Sequence, residues 1–400
     1  MIPNEGKDPM RAVGICEHCG NVEAIPTGSL PVGIILGGVK QVARSDDAHS
    51  RRGRLPVVIG AVAIISVMAV TVGFVATRQH HASEFAQSAG ASPVDLATST
   101  ASSTVVNPPP TITDLASAEN PVAVGTTTVT LTDPTRSTPA RGDTPESSSR
   151  SLSVIIRYPT VGMPSADEIG DAPPLEPAPL VVFAHGFNSS TEVYAALLHD
   201  LAAAGYVVAA PEFPMSSSVY SGEPDESDIP EQARDISFII SELTGTDAPA
   251  VLADMIKPDQ VGVVGHSDGA VTALLAAYSP DYADPRIGAV AAISGDFDTF
   301  GGDWFSTPSA PLLAIHGEYD EINPFDSSEL LVDNDPYPAM LVGVSGSSHL
   351  GAVTNPSNTT SVARLIADDF RWRLSGLETA QDAVLIDANS SPLYLAADHP

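Results

Sequence analysis

Gly265-His266-Ser267-Asp268-Gly269 matches the pattern Gly-x-Ser-x-Gly, and its flanks decide how the chain folds around it. Val261-Gly262-Val263-Val264 precedes it, a short apolar, β-branched run that reads as a buried strand. Ala270-Val271-Thr272-Ala273-Leu274-Leu275-Ala276-Ala277-Tyr278 follows and reads as a helix. A serine caught in a tight turn between strand and helix has its hydroxyl pushed into the open. Gly265 and Gly269 are needed there because a Cβ would meet the neighbouring strand or helix. The helix N-terminus beneath adds N–H donors and partial positive charge where an oxyanion would develop.

A nucleophilic serine requires a base, and the base an orienting acid. After such a turn the acid and then the histidine follow in chain order. Ala310-Pro311-Leu312-Leu313-Ala314-Ile315-His316-Gly317 reads as a buried strand that ends in Glu318-Tyr319-Asp320. Ala339-Met340-Leu341-Val342-Gly343-Val344 reads as another, followed by Ser345-Gly346-Ser347-Ser348-His349. Ser267, Asp320 and His349 would thus meet at the C-terminal edge of a parallel sheet, where open α/β sheets bind ligands. Asp296 and Asp298 also follow an apolar strand, Ile287–Ile293, so strand-end position leaves three aspartates for the acid.

The earlier run Leu180-Val181-Val182-Phe183-Ala184 leads into His185-Gly186-Phe187-Asn188. The backbone N–H of Phe187, beside that of Asp268, would form the oxyanion hole, with Gly186 letting the backbone approach the reacting carbonyl. His185 reads as a brace for this loop. His316 reads as structural, and His266 as a local packing or hydrogen-bonding residue.

The remaining periodicity alternates strand and helix. Val122–Leu131 and Leu152–Arg157 read as antiparallel strands joined by a loop at Arg141–Ser151. Glu192–Ala204 places Val193, Leu197, Leu198, Leu201 and Ala202 on one helical face, and Tyr206–Pro211 follows as a strand. Glu231–Leu243 is helical by spacing, and Ser361–Leu374 reads as a closing helix. Alternation of this kind implies an α/β architecture with a mainly parallel sheet covered on both faces.

Residues from about Val122 to Leu374 resemble the α/β-hydrolase superfamily. Within it they are similar to the group of platelet-activating-factor acetylhydrolases, chlorophyllase-like enzymes, dienelactone hydrolases and bacterial polyester hydrolases. The stretches that carry the resemblance are Val124–Val129, Val154–Pro159, the loop after Phe183, Ala195–Pro211, the Ser267 turn, His316–Asp320 and His349. The resemblance implies an ester hydrolase using Ser267, Asp320 and His349, with N–H groups of Phe187 and Asp268, and no metal or organic cofactor. It places the acid in His316-Gly317-Glu318-Tyr319-Asp320, hence on Asp320 rather than Asp296, Asp298 or Glu318. Many relatives carry an apolar or aromatic residue at the position of Asp268. A carboxylate there puts negative charge by the pocket and disfavours anionic substrates. Alternatives on the same scaffold are a peptidase, an acyltransferase, or a catalytically silent surface protein that binds a partner.

Leu55–Ala76 is an uncharged run of 22 residues, about 33 Å of helix at ~1.5 Å per residue and long enough to cross a bilayer. Lys40, Arg44, Arg51, Arg52 and Arg54 lie before it and only Arg78 soon after, which orients the N-terminus to the cytoplasm and the bulk of the chain outside. A cleaved signal peptide would have a shorter apolar core ending in a small-x-small site. The reading is therefore an uncleaved, single-pass anchor of the cell membrane. The expected organisation is a cytoplasmic segment 1–54, an anchor 55–76, a Ser/Ala/Thr/Pro-rich flexible spacer 77–120, a catalytic domain 121–376 and a tail 377–400.

Residues 79–400 hold 10 Lys+Arg against 43 Asp+Glu, a net of −33, which excludes nucleic acid as a partner of the outer part. The expected partners are a small-molecule or lipid-like ester and the membrane. Asp225-Glu226-Ser227-Asp228 and Asp333-Asn334-Asp335 read as solvated acidic loops rather than calcium sites. Cys16 and Cys19 are the only cysteines. With no second pair to complete a zinc site, they read as functionally silent.

Overall fold

The computed structural model describes residue 117 and residues 119–400, apart from 247, 249–251, 253, 298–304 and 306–308. The anchor at 55–76, nearly all of the spacer at 77–120, Cys16, Cys19 and Asp298 lie outside the described residues. Among the described residues no helix is long and apolar enough to cross a membrane.

Ten strands form one sheet: β1 (Ala123–Asp133), β2 (Arg150–Thr160), β3 (Ile169–Gly170), β4 (Ala178–Ala184), β5 (Val207–Glu212), β6 (Ile256–His266), β7 (Ile287–Ile293), β8 (Leu312–Gly317), β9 (Ala339–Val344) and β10 (Leu393–His399). Their order across the sheet is β10-β9-β8-β7-β6-β4-β5-β2-β1-β3. Strands β5, β4, β6, β7, β8 and β9 run parallel. At the margins β1 pairs antiparallel with β2, β2 with β5, and β10 with β9. Because β4 lies between β5 and β6, the winding reverses there, and a crevice opens at the C-terminal ends of β4 and β6.

Among the described residues seven helices accompany the sheet: α1 (Ala195–Ala203), α2 (Ile229–Thr244), α3 (Asp268–Tyr278), α4 (Phe325–Asn334), α5 (Gly351–Thr354), α6 (Pro356–Ser375) and α7 (Glu378–Ala388). The pleat sends alternate side chains of β4 to opposite faces. Leu180, Val182 and Ala184 join a core with α2 and α3. Val181 and Phe183 join a second core with α1, α6 and α7. All seven residues of β4 are buried, as a central parallel strand requires. Gly262 on β6 lets α6 come close, since a Cβ there would stand 2.4 Å from the Phe370 ring.

Three expectations are corrected. Residues 377–400 are no tail: α7 packs on α6, and β10 adds an antiparallel edge strand on β9, so the folded domain runs to the end of the chain. Tyr394 fills the space over Gly343, where a Cβ would come within 2.1 Å of its ring. The edge strand Leu393-Tyr394-Leu395-Ala396-Ala397 lacks the alternation that would reveal it. The helix expected over Glu192–Ala204 opens with a 3₁₀ turn at Thr191–Tyr194. The tighter turn shifts the phase, so Val193 is 40% exposed while Tyr194 is fully buried. Finally, the two acidic loops are not wholly solvated. Asp228 is buried against Arg150, which also binds Asp235 on α2 at 2.7 Å, and Asp335 is buried too. Among the described residues no group of three or more His, Cys, Asp or Glu is arranged to hold a metal ion.

Candidate active site

Ser267 joins β6 to α3 with φ 57° and ψ −127°, a conformation that costs a non-glycine residue about 1–3 kcal/mol. Neighbouring structure enforces it. A Cβ at Gly265 would lie 2.0 Å from the Gly269 carbonyl oxygen, and one at Gly269 would lie 2.1 Å from that of Ala184 on β4. The Ser267 N–H donates to the Ile293 carbonyl of β7 at 2.9 Å, pinning the turn to the sheet. The strain therefore aims the hydroxyl outward rather than relaxing.

Ser267 Oγ lies 3.0 Å from His349 Nε2, and His349 Nδ1 lies 2.8 Å from Asp320 Oδ2. Asp320 and His349 come from the loops after β8 and β9, so three strand ends converge on one line of hydrogen bonds. An ionised carboxylate only accepts, so His349 Nδ1 carries the proton and Nε2 is free to receive one from the serine. The second Asp320 oxygen accepts the N–H groups of Ile322 and Asn323 at 2.9 and 2.8 Å. Burial pushes the Asp320 carboxyl up, but the donors His316, His349, Asn323 and Ile322 outweigh it and hold the group well below the usual carboxylate range. The backbone of His349 is also held, its N–H donating to Glu321 Oε2 at 3.1 Å.

His185 braces the loop after β4. Its Nε2 accepts the Phe213 N–H at 3.1 Å, which leaves Nδ1 as the donor to the Gly186 carbonyl at 2.9 Å. That carbonyl belongs to the same peptide unit as the Phe187 N–H. In a trans peptide the two point in opposite directions, so His185 and Gly186 turn the Phe187 N–H away from the brace. Phe187 and Asp268 both line a cavity of about 640 Å³ together with Ser267 and His349. A Cβ at Gly186 would sit 3.1 Å from both Ser267 Cβ and Tyr194 Oη.

The cavity has an apolar rim, Phe187, Val193, Ile322 and Leu350, each at least 40% exposed. Its other lining includes four carboxylates, Glu226, Asp268, Asp296 and Glu321, and, among the described residues, no lysine or arginine. Asp268 Oδ2 is buried without a hydrogen-bond partner among the described residues. Burial first, then the nearby Glu226, pushes the Asp268 carboxyl up to about 6, with Asp296 adding to it.

The other candidates fall elsewhere. Asp296 lines the cavity but is not the carboxylate on His349. Glu318 turns away to accept the Gly346 N–H. His316, read as structural, is fully buried and stands 3.3 Å from Asp320 Oδ2. His266 is bonded to Tyr194 Oη and to the His349 carbonyl, both at 3.0 Å. Sequence reasoning missed Tyr194 and Glu321. The amphipathic spacing around Tyr194 pointed to Val193 instead, and Glu321 follows Asp320 in a loop without periodicity.

The model of the alpha/beta hydrolase family matches residues 181–395, and the chain belongs to that family. A protein of Nocardia uniformis subsp. tsuyamanensis described as a candidate esterase, NocK, is 31% identical over 159 residues. That match covers 38% of this chain and 42% of the relative, so the chain spans less than half of its length. The structure of a ferulic acid esterase from Streptomyces cinnamoneus superposes with a TM-score of 0.54, covering 69% of this chain and 97% of that one. At 21% identity this likeness is one of fold.

Proposed function

We propose that this α/β hydrolase is a serine ester hydrolase, anchored in the cell membrane by residues 55–76 with its catalytic domain outside the cytoplasm. The observation that carries the catalytic reading is the unbroken line Ser267 Oγ, His349 Nε2, His349 Nδ1, Asp320 Oδ2, with steps of 3.0 and 2.8 Å at its two ends. In this reading Ser267 Oγ attacks the ester carbonyl while His349 takes its proton. The oxyanion forms against the N–H groups of Phe187 and Asp268. Collapse of the tetrahedral intermediate expels the alcohol, which receives the proton from His349, and water then cleaves the acyl-enzyme by the same steps. Asp320 holds the tautomer of His349 and stabilises its cation.

The cavity wall suggests the kind of ester. Four carboxylates with no lysine or arginine among the lining residues repel an anion, whereas the apolar rim suits an uncharged acyl or alcohol group. The esterase name of NocK supports ester over amide substrates. Anchoring is supported by the length of the apolar run and the cations on its N-terminal side.

A fluorophosphonate probe tests the nucleophile: it should label the wild-type chain and not Ser267→Ala. Hydrolysis of p-nitrophenyl acetate, compared with a peptide anilide, separates esterase from peptidase. Absence of both labelling and ester turnover would leave the silent binding protein as the better reading. Extraction of membranes with alkaline carbonate tests the anchor, which should keep the chain in the pellet.

A further inference from the structure

We propose that Tyr194 and His266 are positioning residues for the general base, Tyr194 fixing the tautomer of His266 and His266 holding the backbone carbonyl of His349. The proposal rests on the reading of Ser267 and His349 as nucleophile and base. His266 is inside the serine turn yet takes no part in the steps above.

The direction of each hydrogen bond follows from what each group can do. The His349 carbonyl only accepts, so the 3.0 Å contact requires a proton on His266 Nε2. A neutral imidazole then has a bare Nδ1, which must accept from the Tyr194 hydroxyl 3.0 Å away. The Tyr194 oxygen in turn accepts the Gly186 N–H at 3.1 Å. The relay therefore runs one way, from the Gly186 peptide through Tyr194 and His266 to the His349 peptide. It joins the loop that carries the Phe187 N–H to the residue that moves the proton.

His266 stays neutral in this place. It is fully buried, and it faces His349, Asp320, His316 and Tyr194. Burial first, and then the nearby His349, pushes its pKa down to about 3, so a proton arriving on His349 during turnover does not add one to His266. A cation on His266 would have two donors and no acceptor, breaking the bond from Tyr194. The His349 peptide is gripped on both sides, by Glu321 at its N–H and by His266 at its carbonyl. Its two backbone grips set where the imidazole swings. A displacement of 1 Å at a reacting group can cost on the order of 10²-fold in rate, which gives the relay catalytic leverage through the position of the base.

The test uses the full-length chain, labelled with ¹⁵N-histidine for spectroscopy and assayed with p-nitrophenyl acetate. In the wild type the resonance absent from His266→Gln should show a proton on Nε2 only, unchanged from pH 5 to 9. Tyr194→Phe should lose that single tautomer and lower kcat about 10-fold or more, with KM within about threefold. His266→Gln keeps an N–H donor toward the His349 carbonyl and should recover most of kcat, whereas His266→Leu should not. Tyr206→Phe is the structural control: Tyr206 is also a buried tyrosine, bonded to the Ala367 carbonyl far from the serine, and its loss should lower Tm without changing kcat. A proton on Nδ1 in the wild type, titration of His266 in that range, or full kcat in a folded His266→Leu would each overturn the proposal. Should His266→Leu not fold, Tyr194→Phe and the wild-type tautomer decide. If the wild type neither cleaves the ester nor takes a fluorophosphonate, the esterase reading fails, while the tautomer still tests the relay by itself.

Discussion

His316 Nε2 stands 3.3 Å from Asp320 Oδ2, the same oxygen that His349 Nδ1 reaches at 2.8 Å. That oxygen accepts from His349, while His316 Nε2 is shared between it and the Asn323 carbonyl at 3.2 Å, and the other oxygen takes two backbone N–H groups. Held at both oxygens, Asp320 keeps the orientation that turns His349 toward Ser267.

Asp320→Asn should therefore keep the shape of the loop but offer the wrong tautomer to His349, lowering kcat by about 10⁴ in line with other triads. Asp296→Asn and Asp298→Asn should each cost far less. Turnover of p-nitrophenyl acetate by the three variants at one pH checks this. If Asp320→Asn were the mildest, the acid would have to be sought elsewhere.

Ser267→Ala removes one exposed hydroxyl from an otherwise intact turn. Activity should drop by roughly 10³ or more while the circular dichroism spectrum is unchanged, the residue reflecting the oxyanion hole. Retention of a tenth of wild-type kcat would remove Ser267 from the mechanism.

Asp268 should make charge discrimination pH-dependent. Its carboxyl is pushed up to about 6, so it is neutral below that value and gains a negative charge beside the serine above it. The ratio of kcat/KM for a neutral ester over an anionic ester of the same size should rise between pH 5 and 7. Asp268→Asn should flatten that rise, and a ratio independent of pH in the wild type would argue against a charged Asp268 at the pocket.

Stability should also carry an acid bias. Burial pushes Asp335, Asp368 and Asp369 up to about 6, and a second carboxylate, Asp387, adds to the effect on Asp368. Between the unfolded value of about 3.9 and 6, the folded chain holds protons that the unfolded chain has released. By linkage, raising the pH through this window destabilises the fold. Asp320, Asp133, Asp284 and Glu168 are shifted the opposite way, and their contribution is lost as pH falls below the usual carboxylate range. The buried, neutral His185 and His266 work the other way, favouring the fold as pH rises through the free-histidine range, so the carboxylate bias is read by difference: between pH 5 and pH 8 the Tm of Asp369→Asn should fall less than that of the wild type in calorimetry. An equal fall in the two would contradict the sign.

Residues 117–400 produced alone should fold, remain soluble and keep esterase activity, because the sheet begins at Ala123 and its first strand finds all its partners within the described residues. Circular dichroism of that fragment checks the boundary, and an unfolded spectrum would mean that earlier residues contribute to the core.

Some of these features follow from local sequence and others only from the assembled chain. The serine turn, the strands before it and after it, and the order Ser267, Asp320, His349 are legible in the sequence because each depends on a few adjacent residues. Glycines at 265 and 269, β-branched runs and a loop after each run are local chemistry. The sequence also carries the apolar run at 55–76 and the excess of carboxylates. What it does not carry is how distant segments register. Tyr194 became the buried residue of its turn only because a 3₁₀ start rotated the helix, moving Val193 to the cavity rim. Strand β10 is weakly patterned and takes its place through backbone bonds to β9, which any residues but proline can make. His185, His266, His316 and His349 look alike as letters, yet three different sets of partners separate their roles from the base. Hydrogen-bond direction is a property of neighbours in space, and those neighbours lie up to 83 residues apart along the chain.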